Sequence, residues 1–228
     1  MSGLLSRIAA AMRAANPAPA PAAPPAPPAP PPFKRELTAQ DFERAARELA
    51  VPVAAVRAVA EVEARGSGFL PAPDTRPTIL YEAHVFHRLT SGRHRMAVDR
   101  RGVALSVPRW DRSLYGSAGA RQWERLEDAA KLDAEAAHAS CSWGIFQVLG
   151  SNAKSLGYPS AQDFAREMAR GADAHLDALV RFIRSNGLAD ELRSRDWAGF
   201  AARYNGPRFR ENRYDEKLAA AFARWSRA

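Results

Sequence analysis

Apolar residues recur at helical spacing along most of the chain beyond residue 33, interrupted by one long stretch where the period is lost. Thr38 with Asp41 three residues later predicts a capped helix to about residue 49. Pro52 in a first turn opens a second helix to about residue 64, which Gly66 stops. Over 67–116, Pro71, Pro73, Pro77, Gly92, Gly102, Pro108 and Gly116 punctuate β-favouring segments at 78–81 and 103–107, with a short helix predicted over 85–89. Helical periodicity then returns at 117–138, 144–156, 160–186, 196–204 and 212–227. The pattern predicts a mainly α (α+β) domain over 34–228, a helical body with a small irregular β lobe inserted after its second helix.

Ahead of that domain the pattern changes twice. Residues 16–33 are almost wholly Pro and Ala, a composition that lacks backbone donors and packable side chains. It predicts a disordered, extended linker reaching on the order of 50 Å. Over residues 1–15, Leu4, Leu5, Ile8, Ala11 and Met12 recur beside Arg7 and Arg13, the mark of a short basic amphipathic helix. We read it as a tether able to contact an anionic membrane, the alternative being a frayed tail. Its apolar stretch from Ile8 to Met12 is shorter than the ~7 to 15 residues of a secretory signal core, so cytoplasmic synthesis is expected.

Charge narrows the partners without choosing a function. Thirty-three Lys and Arg against 25 Asp and Glu leave a net charge of +8, suited to a polyanionic partner. Cys141 is the single cysteine, which rules out an internal disulfide framework and a Cys-rich zinc site.

The first candidate for chemistry is Glu63. Val56, Val59 and Ala60 lead to it at i, i+3, i+4 and i+7 along one stripe of the second helix, whereas Glu61 points about 160° away. The spacing predicts a buried carboxyl group at a helix C-terminus, where burial and the helix dipole both raise its pKa. A carboxylic acid kept protonated near neutral pH is what general-acid cleavage of a glycosidic bond requires.

Other segments join it into a recognisable set. Glu63 leads into Ala64-Arg65-Gly66-Ser67-Gly68-Phe69, Ser142-Trp143-Gly144-Ile145-Phe146-Gln147 reads as the opening of a helix, and Ala202-Arg203-Tyr204-Asn205-Gly206 ends another. With Pro77-Thr78-Ile79-Leu80-Tyr81-Glu82-Ala83-His84-Val85-Phe86 and Tyr214-Asp215-Glu216-Lys217-Leu218, this combination resembles the phage-type N-acetylmuramidase (endolysin) family of the lysozyme-like superfamily, over about residues 34–228. The resemblance implies a lysozyme-like fold. It implies hydrolysis of bacterial peptidoglycan at the β-1,4 bond between N-acetylmuramic acid and N-acetylglucosamine, and holin-type release of the protein from the cytoplasm to the wall. It also implies that Ser142, Gly144, Gln147, Tyr204 and Asn205 line the sugar groove. Gln147, expected about one turn into its helix, would offer a donor and an acceptor, and Gly144 would let a saccharide approach the backbone. Family members often carry a peptidoglycan-binding module, and here only the short helix and the linker flank the domain. Glu82 is the first choice for a second catalytic carboxylate, with Asp99 and Asp111 as alternatives.

Rival readings are weaker. His84 and His87 stand three apart after Glu82, but no HExxH arrangement exists, so neither a metal nor another cofactor is expected. A lytic transglycosylase would use the same acid on the same bond. Arginines alternate with acids and form no recognised nucleic-acid motif, so no nucleic-acid partner is expected, and the protein is read as a monomer.

Overall fold

The computed structural model describes residues 33–64, 66–207 and 209–227; the expected amphipathic helix and all but the last residue of the linker lie outside them. A helix α1 (Ala39–Leu49) begins where the Asp41 carboxylate accepts the Thr38 N–H at 2.7 Å. It ends at Ala50 in the left-handed conformation, and α2 (Val53–Glu63) follows Pro52 as expected. Helices α1 and α2 pack together, and α10 (Tyr214–Trp225) lies along α2 and against α9 (Trp197–Asn205).

The region of lost periodicity contains β1 (Ile79–Tyr81) and α3 (Ala83–Leu89), close to their predicted places. The partners of β1 come from far along the chain. β2 (Cys141–Trp143) pairs antiparallel with β1, and β3 (Val148–Leu149) pairs antiparallel with β2, giving the order β1-β2-β3. This corrects the expectation that Ser142 opens a helix over 144–156. Cys141 and Trp143 enter the core on one face of β2, and the chain turns back through Gly144 at a φ of 69°. Gln147 therefore sits in a hairpin turn at a φ of 49° instead of one turn into a helix.

Three other departures have local causes. The expected strand at 103–107 is reduced to a single bridge between Val98 and Ala104, because the Asp99 side chain takes the N–H groups of Arg101 and Val103 at 2.9 and 3.1 Å. The expected helix at 117–138 is split into α4 (Ala120–Ala130) and α5 (Ala134–Ala139) by Asp133, whose carboxylate caps Ala136 N–H at 2.9 Å. The expected helix at 160–186 is divided into α6 (Ala161–Met168) and α7 (Ala172–Ser185) where the entering chain crosses. Lys34 O accepts the Ala172 N–H at 2.7 Å there, and a Cβ on Gly171 would lie 3.0 Å from that same oxygen. A short α8 (Ala189–Ser194) was not foreseen. The fold is thus mostly helical with one small sheet. Trp143 is in its core, edge-on to Trp123 and Phe164 at centroid distances of 5.8 and 6.4 Å.

Candidate active site

Glu63 occupies the last position of α2, and the stripe of Val56, Val59 and Ala60 takes it into the interior, leaving it 6% exposed. Ala64 turns to an extended conformation and ends the helix. Asn205, the last residue of α9, brings its side-chain amide across: Nδ2 donates to both carboxylate oxygens of Glu63, at 3.2 and 3.3 Å. Only the NH2 end can donate to a carboxylate, so this contact orients the amide, and Asn205 Oδ1 is left buried with no hydrogen-bond partner among the described residues. Tyr204 is half-buried, stacked on Phe200 at 5.4 Å and edge-on to Phe182 at 5.5 Å. Its ring is therefore anchored in the helical packing. Glu61 is on the opposite side of α2, as the helical period predicts, where it pairs with Arg224 and accepts the Trp225 Nε1–H at 2.9 Å.

A second wall is built by the hairpin turn and the loop that follows Glu63. Gln147 Nε2 donates to Gly144 O at 2.8 Å and lies 3.4 Å from Thr78 O, so its donor holds the turn closed. Ser142, at the middle of β2, is half-buried and faces away from the core positions on either side of it. Beneath the turn is His175 of α7, which is 1% exposed. Its Nδ1 accepts the Ile145 N–H at 3.2 Å and its Nε2 donates to Met168 O at 2.8 Å, which fixes a neutral tautomer. Burial drives its pKa down to about 4. The ring stacks on Phe69 at 4.7 Å and fills the space beside two glycines. A Cβ on Gly144 would lie 2.7 Å from three ring atoms, and one on Gly68 would lie 2.3 Å from Ile145 Cγ1. Gly144 is needed by its own backbone and neighbours, whatever it also offers a ligand.

The three acidic candidates for a second role differ sharply. Glu82 is the N-cap residue of α3; Tyr115 donates its phenolic O–H to it, and His84 Nδ1 lies 3.5 Å from the same oxygen. Burial, then the adjoining carboxylate, push the Tyr115 phenol up, so it stays a donor. Asp99 is fully enclosed. It is paired with Arg121 and with Arg125 at 3.0 Å while bonding its own turn, a structural use of every lone pair. Although its burial opposes ionisation, those N–H groups and Arg121 hold its carboxyl below the ordinary range. Asp111 is exposed and caps Ser113 N–H at 2.9 Å. Among the described residues no group of three His, Cys, Asp or Glu side chains is placed to hold a metal; His87 Nδ1 instead lies 3.0 Å from Ser106 Oγ.

A family model described as Muramidase, N-acetylmuramidase, matches residues 52–226. The chain belongs to the N-acetylmuramidase family. Among solved structures, the chain is similar to a Burkholderia AP3 phage endolysin at 42% identity, with a TM-score of 0.76 over 85% of this chain and 73% of that one. Comparison with curated proteins yields no match. Membership of the family and the endolysin neighbour together support a peptidoglycan hydrolase.

The sequence points to Glu63, Gln147 and Asn205 but not to how they are held. The amide bridge from Asn205 joins residues 142 positions apart, and no local period reports such a contact. His175 has no ligand-like spacing to other histidines in the sequence. The available signal was a lone histidine on the apolar stripe of α7 beside Leu176 and Leu179, which are buried with it.

Proposed function

We propose that this protein hydrolyses the β-1,4 bond between N-acetylmuramic acid and N-acetylglucosamine, as a phage endolysin acting on the bacterial wall, with Glu63 as general acid. The observation that carries the reading is the Glu63–Asn205 pair: a buried carboxyl group at a helix end, held by an amide whose remaining oxygen has no hydrogen-bond partner among the described residues. Glu63 delivers its proton to the bridging oxygen as the bond from C1 of the muramic acid breaks. Water then adds at C1, and the proton it loses restores the Glu63 carboxyl group through solvent or a carboxylate. Asn205 keeps the carboxyl group aimed, and its free Oδ1 accepts a hydrogen bond from the sugar. Gln147, its donor committed to the turn, offers its carbonyl oxygen. Glu82 is the second carboxylate in this reading, stabilising the oxocarbenium-like transition state with its charge. The excess of cationic side chains favours a wall rich in peptide carboxylates.

The test is turbidity loss on purified peptidoglycan together with the mass of the released fragments. Glu63→Gln is nearly isosteric and carries no transferable proton, so activity should fall by about 100-fold or more with the fold intact. Retention of most activity would remove Glu63 from the role. Products bearing an anhydro ring in place of an added water would make the protein a lytic transglycosylase. Glu82→Gln, assayed alongside, should lose turnover and keep wall binding; a loss of thermal stability with activity regained on cooling would give Glu82 a structural part instead.

A further inference from the structure

On the flank of α2 away from Glu63 there is an open groove of about 230 Å3, walled by Phe42, Ile145, Phe146 and Trp225. Its floor includes Ala64, the residue after Glu63, and Ile145 is the residue after Gly144. Two lining residues thus adjoin, in sequence, residues of the two walls of the candidate active site. Arg57 and Glu61 both line it, and the Arg57 guanidinium carbon is 4.9 Å from the Phe42 ring centroid and 4.6 Å from that of Trp225. Among the described residues Arg57 forms no ion pair, and the nearby Glu61 is occupied by Arg224 and the Trp225 indole.

We propose that this groove is a specificity subsite for the peptide stem of the wall, with Arg57 binding a stem carboxylate. The inference rests on the muramidase reading above. A glycan chain drawn across Glu63 carries a short peptide on the lactyl ether of each muramic acid, and a groove on the flank of the helix that ends in Glu63 is a place for that substituent. The lining chooses between sugar and peptide. Hydroxyl-rich sugar rings gain little from an aliphatic and aromatic trough, whereas a stem supplies alanine methyl groups for the trough and carboxylates for the guanidinium. The two aromatic rings hold Arg57 in place before any ligand arrives, so less side-chain freedom is lost when the carboxylate binds.

The experiment compares soluble glycan chains with intact stems against the same chains after an amidase has removed the stems. Wild-type kcat/KM should be about tenfold higher on stem-bearing chains, carried by KM, which is the scale of one charge-assisted hydrogen bond. Arg57→Gln removes the charge, and Leu37→Glu places a repelling carboxylate at the half-buried rim of the groove. Each should bring the ratio of the two substrates close to one while leaving the rate on stripped chains within about twofold of wild type. Equal wild-type rates on both substrates would overturn the proposal. So would folded variants, verified by melting temperature, that slow both substrates alike. Cleavage of neither substrate by the wild type would instead overturn the muramidase reading on which it rests.

Discussion

The two walls of the candidate site are built on different physical plans. The helical wall holds Glu63 through ordinary close packing. Ala55, Val56, Ala58, Val59 and Ala60 are all buried on α2; α1 and α10 pack against that helix, and α9, packed on α10, brings Asn205 to its end. The hairpin wall has strands of three and two residues, two glycines at positive φ and a single imidazole wedged between them. Packing energy in the first is spread over many small contacts, so removal of one methyl group costs on the order of 1 kcal/mol. In the second, position depends on a few atoms with no room to yield. The acid is therefore mounted on the tolerant wall, and the turn carrying Gln147 on the intolerant one.

Gly144→Ala is the strongest way to break that contrast. The new Cβ would meet the His175 ring at 2.7 Å, on a backbone at a φ of 69° that disfavours any side chain. The ring has no easy retreat, because it is hydrogen-bonded at both nitrogens and stacked on Phe69. Strain in the left-handed region and overpacking together predict a loss of about 3 kcal/mol in denaturant unfolding. A variant as stable as wild type would show that the hairpin wall relaxes freely, and the distinction between the walls would fall.

Acid offers a subtler probe of the same wall. His175 is held neutral in the fold with its pKa near 4, whereas an unfolded histidine takes up its proton near 6.5. As pH falls through this interval the unfolded chain binds a proton that the folded chain refuses, so stability declines from about pH 6.5 to about pH 4. The full interval is worth about 3 kcal/mol. Asp173 is the charged neighbour that favours the protonated ring, and it opposes the effect without cancelling it. Carboxylates such as Asp41, held near pKa 2, lose their stabilising charge only below the usual carboxylate range, which separates the two contributions. Chemical denaturation of wild type and His175→Gln between pH 7 and 4.5 checks this. The variant should be weaker at neutral pH and should lack most of the wild-type decline; parallel pH profiles would remove His175 as the cause.

The difference between the walls also explains what could be read from the chain. Helix α2, the burial of Glu63 and the outward turn of Glu61 follow from a period of 3.6 residues, which a regular packed helix writes directly into its sequence. The hairpin writes no such record. Apolar Trp143, Ile145 and Phe146 fit a helical pattern as well as a strand and turn, and only pairing with β1, more than 60 residues earlier, decides between them. Gln147 is legible as a polar residue in a suggestive segment, but its place in a turn is not, because the deciding contacts are tertiary. Asp99 shows the same gap: its sequence neighbourhood allowed a catalytic part, and Arg121 and Arg125 from α4 assign it a structural one.

The smallest expected effect sharpens the comparison from the tolerant side. Glu61 shares α2 with Glu63, two residues away, yet it is exposed and its partners Arg224 and Trp225 lie near the end of α10. An ion pair in such a setting is worth roughly 0 to 1 kcal/mol, since solvent screens the charges and two long side chains lose freedom to form it. Glu61→Gln keeps an acceptor for the indole N–H and removes only the charge. Unfolding free energy should change by no more than about 0.5 kcal/mol, and cleavage of stem-free glycan should stay within about twofold of wild type. High salt should narrow even that difference, because it screens the wild-type pair. A loss of glycan cleavage approaching that of Glu63→Gln would mean that the chemistry depends on the outer face of α2 as well. The helical wall would then be no more tolerant than the hairpin.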